Sequence, residues 1–556
     1  MVLRGDGDEI GNSEREVKIR LTRVLYLVLA CACLALVPSA ISQHQHPAGE
    51  LGKFGKVNFA ISCDPAVQQG FNRAVAILHS FGYEKAAGAF VEVAERDPAC
   101  GMAFWGLAMT YYHPVWEAPN PTVLRQGWAA VERAKSAGAK TQRERDYIAA
   151  IEVFYKDSDK LDHRSRALAY EKAMEQLQAH YPDDREAAIF YALAVRGNAP
   201  DSDKTYANQK KAGAILEKAF AEQPEHPGLA HYIIHCYDYP TLAGRALDAA
   251  RRYAKIAPDS PHALHMPSHI FTRLGYWQES IESNLASAAA ARKDSAQGDQ
   301  LHAMDYLVYA YLQGAQDVEA KKVFAAVPPP RQSEPVYFAG LYAIASMSAR
   351  YAVERHRWAE AATLTAPPDL FPGGRYAWTE ANIHFARALG ASRVGDTEAA
   401  RKSLQQLTSL RDTLVQANEK YWAEQLDIQR ETVTAWLTWV EGKKEEALRQ
   451  MGSAADHEDA TDKHSVTPGV ILPASELLGE MLLESQQPTQ ALVAFEATLR
   501  AAPNRFNALS GAARAAQLSG NRDKAKGYYT RLLATSDHAD GDRPELQDAR
   551  TYLAKR

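Results

Sequence analysis

The chain has 556 residues, of which 46% are hydrophobic, and it carries a formal net charge of −5. A single compact core does not extend over such a length, whereas an array of stacked helical units grows without needing a larger core. The nearly balanced charge excludes the basic surface of a nucleic-acid-binding protein. No basic run beyond the N-terminus indicates binding to a lipid surface.

The N-terminal residues 1–42 have the pattern of an export signal. Basic residues precede an apolar run over residues 24–37, and small residues follow. The run is too short and wrongly flanked for a stable membrane span, so we expect cleavage near Gln43 and a periplasmic or secreted mature protein without a span. The segment 28–31 loosely resembles a bacterial lipobox, which leaves a lipid anchor at Cys31 as an alternative.

Export would place the mature chain in an oxidising compartment, where cysteines are candidates for disulfides. Cys63 and Cys100 each lie just before the first helix of successive predicted hairpins. We therefore predict a disulfide between them, with two small core thiols as the alternative. Cys236 would then be left over, directly beside His235.

Helical periodicity and its punctuation by glycine and proline divide the chain into about ten hairpins. The predicted segments after the signal are a linker (43–65), an N-terminal array with a histidine-lined groove (66–325), irregular central hairpins (326–453), a long loop (454–473), a pair of regular repeats (474–540) and a tail (541–556). A loop of roughly 20 residues is uncommon in a compact array and is more often functional or disordered. Its later part mixes turn formers with Val and Ile, which favours folding back onto the array.

Histidines repeat together with the hairpins. His231 and His235 return as His265 and His269 at an offset of 34 residues, and the neighbouring prolines share this offset. Thirty-four residues is the tetratricopeptide period, in which each unit is one helix–turn–helix hairpin. The pattern predicts that an H-x-x-x-H pair lies on each of two adjacent helices.

The chain resembles the tetratricopeptide repeat superfamily over most of residues 66–540. Residues 104–108, followed by Tyr111, are close to the W-x₂-L-G-x₂-Y opening of that repeat. Segments such as 79–83 and 262–271 are similar to those of poorly characterised exported bacterial repeat proteins. The resemblance implies an all-α, right-handed superhelical solenoid of about ten repeats, and it supplies no catalytic residues.

The resemblance also implies which side chains face the ligand groove. In tetratricopeptide proteins the first helix of each hairpin lines the concave surface, generally through its second, fifth, ninth and twelfth places. Counting from Pro227 and from Pro261 puts the four paired histidines at the fifth and ninth places, and His262 at a second place. Five imidazoles are therefore expected in one stretch of groove.

Such a cluster is suited to a transition metal. Adjacent helices pack about 8–10 Å apart, a gap that two imidazoles can bridge through an ion, and nitrogen ligands favour zinc, copper or nickel. Asp238 or Tyr239 is a candidate to orient a ligating ring, and Cys236 is a further ligand only if the backbone departs from helix. Pro267 lies inside the helix expected to carry His265, and a helix that starts at Pro267 would loosen the four-histidine geometry.

Two functions of different classes remain open. One is an exported scaffold whose groove binds a peptide, a partner protein or a small polar ligand, with His79 and His113 as further groove residues. The other is a transition-metal-binding protein or metalloenzyme that uses His231, His235, His265 and His269. A third interpretation gives these histidines a packing role alone. The sequence contains no nucleotide-binding loop, zinc-protease motif or nucleophile elbow, so it predicts no catalytic residue and no organic cofactor.

Overall fold

A computed structural model describes residues 52–115, 118–328, 338–366 and 374–555, and all regular structure in these residues is helical. Consecutive helices pack against each other as hairpins, and each hairpin packs on the next. The predicted all-α solenoid of stacked helix–turn–helix units is confirmed. None of the described helices is both long and apolar enough to cross a membrane.

The N-terminal part contains helices of 5 to 18 residues joined mostly by short turns. They are α1 (Gln68–His79), α2 (Tyr83–Arg96), α3 (Gly101–Thr110), α4 (Pro121–Ala137), α5 (Gln142–Tyr155), α6 (His163–His180), α7 (Arg185–Gly197), α8 (Ala207–Glu222), α9 (Pro227–Tyr237), α10 (Leu247–Ile256), α11 (Pro261–His265), α12 (Pro267–Leu274), α13 (Trp277–Lys293), α14 (Gln297–Gln313) and α15 (Asp317–Ala325).

The remaining helices continue the array. They are α16 (Phe338–Val353), α17 (Trp358–Ala362), α18 (Ala377–Val394), α19 (Thr397–Gln416), α20 (Lys420–Val440), α21 (Lys444–Asp459), α22 (Ala474–Glu484), α23 (Pro488–Ala501), α24 (Phe506–Leu518), α25 (Arg522–Thr535) and α26 (Pro544–Ala554). Short 3-10 helices cover Pro65–Val67, Ala243–Ala246 and Gly374–Tyr376. Helix α26 occupies the segment that the sequence pattern leaves as a tail.

Local sequence explains where these helices begin. Proline opens α9 and α11, where the missing N–H would have no intrahelical partner. Thr141 and Glu144 form a reciprocal capping box at the start of α5. Between hairpins, Gly106 lets the ring of Phe90 approach the backbone of α3, because a Cβ at this position would lie 2.2 Å from that ring. Small residues on first helices therefore set the close spacing of the stack.

The described part of the linker is packed against the array. The backbone N–H of Lys53 donates to Asp259 Oδ2 at 2.6 Å, and the ring of Phe59 is fully buried beside Trp105. Cys63 at its end is joined to Cys100 by a disulfide. The segment thus runs as an extended strap along several hairpins.

The connection after α21 also folds onto the array. The helix continues to Asp459, so the connection starts at residue 460 rather than at 454, where the sequence pattern places the beginning of the loop. Arg350, which is fully buried, donates through Nη1 to the carbonyl oxygen of Val470 at 2.8 Å. Lys463 reaches Asp238 at the end of α9. We name residues 460–473 the covering loop, because it lies over the helices that carry the histidines.

Candidate metal centre

Six histidines on four helices, α9, α11, α12 and α14, form two groups of three. In each group the three candidate ligand atoms lie within 4.8 Å of one another. Triad A consists of His231, His235 and His262, and triad B consists of His265, His269 and His302. Each triad combines an i, i+4 histidine pair with one histidine from the first helix of the next hairpin. The pair His231/His235 and its repeat His265/His269 therefore belong to different triads.

Triad A joins α9 to α11. His231 and His235 lie one turn apart on α9, and their Nε2 atoms are 3.0 Å apart. The Nε2 atom of His262, on α11, lies 3.0 Å from His231 Nε2. His231 and His235 are buried, whereas His262 is partly buried. The three nitrogens therefore face one point between the two helices.

Triad B joins the α11–α12 junction to α14. Helix α12 does begin at Pro267, but Met266 keeps helical dihedral angles, so the chain continues in helical register from His265 to His269. Their Nε2 atoms are 3.0 Å apart. The geometry is therefore not loosened by the proline, because its missing N–H falls at the first position of a new helix.

Hydrogen bonds at Nδ1 fix the orientation of several rings. His231 Nδ1 donates to the carbonyl oxygen of His79 at 2.7 Å. His265 Nδ1 donates to Asn284 Oδ1 at 2.6 Å, and the orientation of that amide is fixed because its Nδ2 donates to the carbonyl oxygen of Ser280. Since both acceptors are carbonyl oxygens, the proton of each neutral ring is on Nδ1 and the lone pair is on Nε2.

Asp238 orients His269 in the same way. Its Oδ2 accepts from His269 Nδ1 at 2.9 Å and from Lys463 Nζ at 3.1 Å, while Oδ1 accepts from Arg273 Nε at 2.8 Å. Burial alone would raise the pKa of Asp238, but Lys463, Arg273 and His269 outweigh burial and hold this pKa well below its usual range. The carboxylate is therefore ionised, and it keeps the Nδ1 proton on His269.

An aromatic ring covers each triad. Phe81, which has a left-handed backbone with φ of 54°, lies 4.4 Å from the ring of His231, and Tyr306 lies 4.7 Å from the ring of His265. Burial lowers the pKa of all six histidines. Neighbouring imidazoles lower it further for every member except His269, whose pKa is raised by Asp238 and lowered by Lys463 and Arg273. Neutral rings with inward-facing nitrogens are the outcome.

The two triads adjoin each other. The ring centroids of His235 and His269 are 6.5 Å apart, and those of His262 and His265 are 6.4 Å apart. The predicted four histidines therefore come together, although in two groups rather than around one point. His302 was missed by the sequence analysis. Its signal was a histidine in the next first helix, 37 residues after His265, much as His262 follows His231 by 31.

The histidines do not line an open groove as the repeat register predicts. Phe81, Tyr306 and the covering loop close over them, and the Tyr306 hydroxyl donates to the carbonyl oxygen of Thr467 at 3.2 Å. Cys236 stays within α9, and burial raises the pKa of its thiol to about 12. A neutral thiol of this kind is a packing residue.

His79 lies behind triad A rather than in a groove. Its Nε2 and that of His226 contact the two oxygens of Glu186 at 2.9 and 3.0 Å, all three side chains being buried. Gly228 allows this arrangement, because a Cβ there would lie 2.6 Å from His79 Nδ1. The His79 carbonyl group in turn orients His231, so this network positions triad A.

His113 lies in the wall of an open cleft beside the covering loop. The cleft has a volume of about 950 Å³, and its lining includes His113, Arg196, Tyr239, Trp422 and Lys463. Trp378 and Trp422 stack there with ring centroids 3.7 Å apart. Because Lys463 contacts both the cleft and Asp238, the cleft borders the groups that orient triad B.

No family model and no curated protein matches the chain. Among solved structures, the chain is similar to Naa15/Naa10 bound to HypK, at 13% identity over 87% of this chain and 74% of that one, with a TM-score of 0.24. It is also similar to the human IFIT1 dimer with m7Gppp-AAAA, at 14% identity over 78% and 90%, with a TM-score of 0.33. The human IFIT1 dimer with PPP-AAAA gives 13% identity over 85% and 91%, with a TM-score of 0.35.

Proposed function

We propose that this protein binds transition-metal ions at triads A and B. The observation that carries the proposal is the contact between His265 and His269. Both rings donate through Nδ1, so their Nε2 atoms present two lone pairs to each other at 3.0 Å. Two acceptor nitrogens in this position repel each other unless a cation lies between them.

Metal coordination accounts for the spacing. Two nitrogens bonded to one ion at about 2.0–2.1 Å lie roughly 2.8–3.4 Å apart at bond angles of about 90–109°. The contacts within triads A and B, at 3.0 Å, fall in this range. The carbonyl, amide and carboxylate acceptors at Nδ1 are the partners that usually orient metal-bound imidazoles. Neutral imidazoles suit zinc, copper and nickel rather than calcium or magnesium.

The test is metal binding by protein purified without a histidine tag. We expect that equilibrium dialysis and elemental analysis find bound metal at micromolar concentrations of zinc, copper or nickel. His235→Ala with His269→Ala removes one ligand from each triad and should abolish this binding while the far-ultraviolet circular dichroism stays helical. Should that variant fail to fold, the pair of glutamine substitutions at the same positions keeps the side-chain volume.

The matched control removes two exposed histidines, by His180→Ala with His538→Ala, and should leave metal binding unchanged. Wild-type protein that binds none of the three metals would refute the proposal. Metal binding that survives in the triad variant but is lost in the control would assign it to the surface instead.

A second candidate function is recognition of a peptide or small polar ligand in the cleft. The stacked Trp378 and Trp422 beside Arg196 offer an aromatic and cationic wall of the kind that holds planar or anionic groups. A thermal-shift screen of peptides and carboxylates, repeated on Trp422→Ala, tests it. Any shift should be lost in the variant, and a screen without shifts would oppose this function. We also propose that the mature chain is exported, as the N-terminal pattern predicts.

A further inference from the structure

We infer that the paired triads form a two-ion centre that selects monovalent copper over divalent zinc and nickel. This inference rests on the proposed metal binding, and it adds the number of ions, the element and its charge. Three features of the site favour a monovalent ion: its ligands, the charges around them and the closeness of the two triads.

The ligand set brings no negative charge. All six donors are imidazoles, and the rings of Phe81 and Tyr306 cover triads A and B. Two divalent ions would therefore place four positive charges in a buried site with neutral ligands. The free-energy cost of burying an ion rises with the square of its charge, so that each divalent ion costs about four times as much as a monovalent one.

The surrounding charges add to this cost. Arg196, whose Nε donates to the carbonyl oxygen of His235 at 2.8 Å, lies beside triad A. Arg273 and Lys463 lie beside triad B, where Asp238 is the carboxylate that faces the histidines. Two other buried carboxylates are paired elsewhere: Glu186 is held between His79 and His226, and Asp305 contacts Arg350 at 3.4 Å. Three cations against one facing carboxylate repel a dication about twice as strongly as a monocation at the same place.

The closeness of the two triads also favours ions of low charge, because an ion in one triad repels an ion in the other. Rings of the two triads approach to 6.4–6.5 Å between centroids, so ions in both sites also repel each other. Two monovalent ions repel each other with about a quarter of the energy of two divalent ions. Imidazole is a good ligand for copper, so monovalent copper meets the demands of both ligand type and charge.

The experiment is an anaerobic titration of metal-free, tag-free protein. Cu⁺, held reduced by ascorbate, is titrated against a chromophoric Cu⁺ chelator, and Zn²⁺ is titrated separately against a chromophoric zinc chelator. We expect two Cu⁺ per chain and an affinity for Zn²⁺ at least 100-fold weaker. X-ray absorption at the copper edge should show monovalent copper bound by nitrogen alone.

A charge variant makes the test specific. Lys463→Gln removes one of the nearby cations and should raise the Zn²⁺ affinity relative to the Cu⁺ affinity by roughly tenfold, because the dication feels the lost charge twice. Lys204→Gln is the matched control, since Lys204 pairs with Asp462 in the same region and does not contact Asp238. The control should leave the ratio unchanged.

Each outcome bears on a different part of the proposal. Zn²⁺ binding as tight as Cu⁺ binding, including binding that takes up a bridging anion, would overturn the selectivity and leave the proposed metal binding standing. One Cu⁺ per chain would overturn the two-ion centre. Binding of neither metal would refute the proposed function itself, and an unchanged ratio in Lys463→Gln would show that the nearby charges do not select the ion.

Discussion

Asp238 is the side chain whose substitution tests most directly how the centre is held together. It accepts hydrogen bonds from His269, Arg273 and Lys463, and only 9% of its side chain is exposed. Asp238→Asn keeps the shape but leaves two buried cations without their counter-charge. Breaking a buried ion pair by removing one partner costs about 3–5 kcal/mol. We expect a loss of stability near the lower end of this range. Burial already lowers the pKa of Lys463 to about 8, so this lysine can lose its proton when residue 238 is neutral.

The sign of the pH dependence follows from that lysine. A lysine whose folded pKa lies below its unfolded value destabilises the fold at low pH, and the penalty fades as pH rises above the folded pKa. In Asp238→Asn the folded pKa of Lys463 falls below 8. The stability deficit of the metal-free variant should therefore shrink as pH rises towards about 8, the folded pKa of Lys463 in the wild type, as measured by urea unfolding. Metal affinity should fall by about 10–100-fold, because His269 loses the acceptor that orients it.

The matched control is Asp248→Asn, which breaks an exposed pair with Arg252 on α10 and should change stability little. A stability loss below about 1 kcal/mol in Asp238→Asn would refute the account of the buried charges. A normal loss of stability with unchanged metal affinity would instead refute the role of Asp238 in orienting His269.

Three further outcomes are expected. Non-reducing peptide mapping should recover Cys63 bonded to Cys100, and replacing both with serine should cost roughly 3–4 kcal/mol in the chain-entropy model, whereas two free thiols would contradict the pairing. Burial raises the pKa of Glu458 to about 8, so ionisation of the unfolded state destabilises the protein between about pH 4.5 and pH 8. The free energy of unfolding of Glu458→Gln relative to wild type should thus be about 3–5 kcal/mol more favourable to folding at pH 8 than at pH 4.5, as measured by urea unfolding. A difference between the two proteins that does not change with pH would oppose this reasoning. N-terminal sequencing of native protein should begin near Gln43 in an extracytoplasmic fraction, and intact residues 1–40 in the cytosol would refute export.

The repeat architecture could be predicted from the sequence because it depends on local signals. Each hairpin contacts mainly its neighbours, so glycine, proline and apolar spacing within about 34 residues determine where helices begin and which faces are buried. The pairs His231/His235 and His265/His269 share a helix face for the same reason, since residues four apart in a helix do so wherever it packs. Asp238 directly follows the last residue of α9, three residues after His235, and the sequence identifies it as a candidate to orient a ligating ring.

The partition into two triads required the tertiary structure. His302 joins triad B only because α14 packs beside the α11–α12 junction. Its spacing of 37 residues from His265 departs from the 34-residue repeat, so the offset that marks the other pairs does not identify it. Lys463 reaches Asp238 from 225 residues further along the chain, through a covering loop whose path no periodicity describes. The burial of the histidines, and with it the charge balance that would select an ion, depends on such long-range packing. Helix periodicity is a property of the chain, whereas the dielectric surroundings of a site are a property of everything that packs over it.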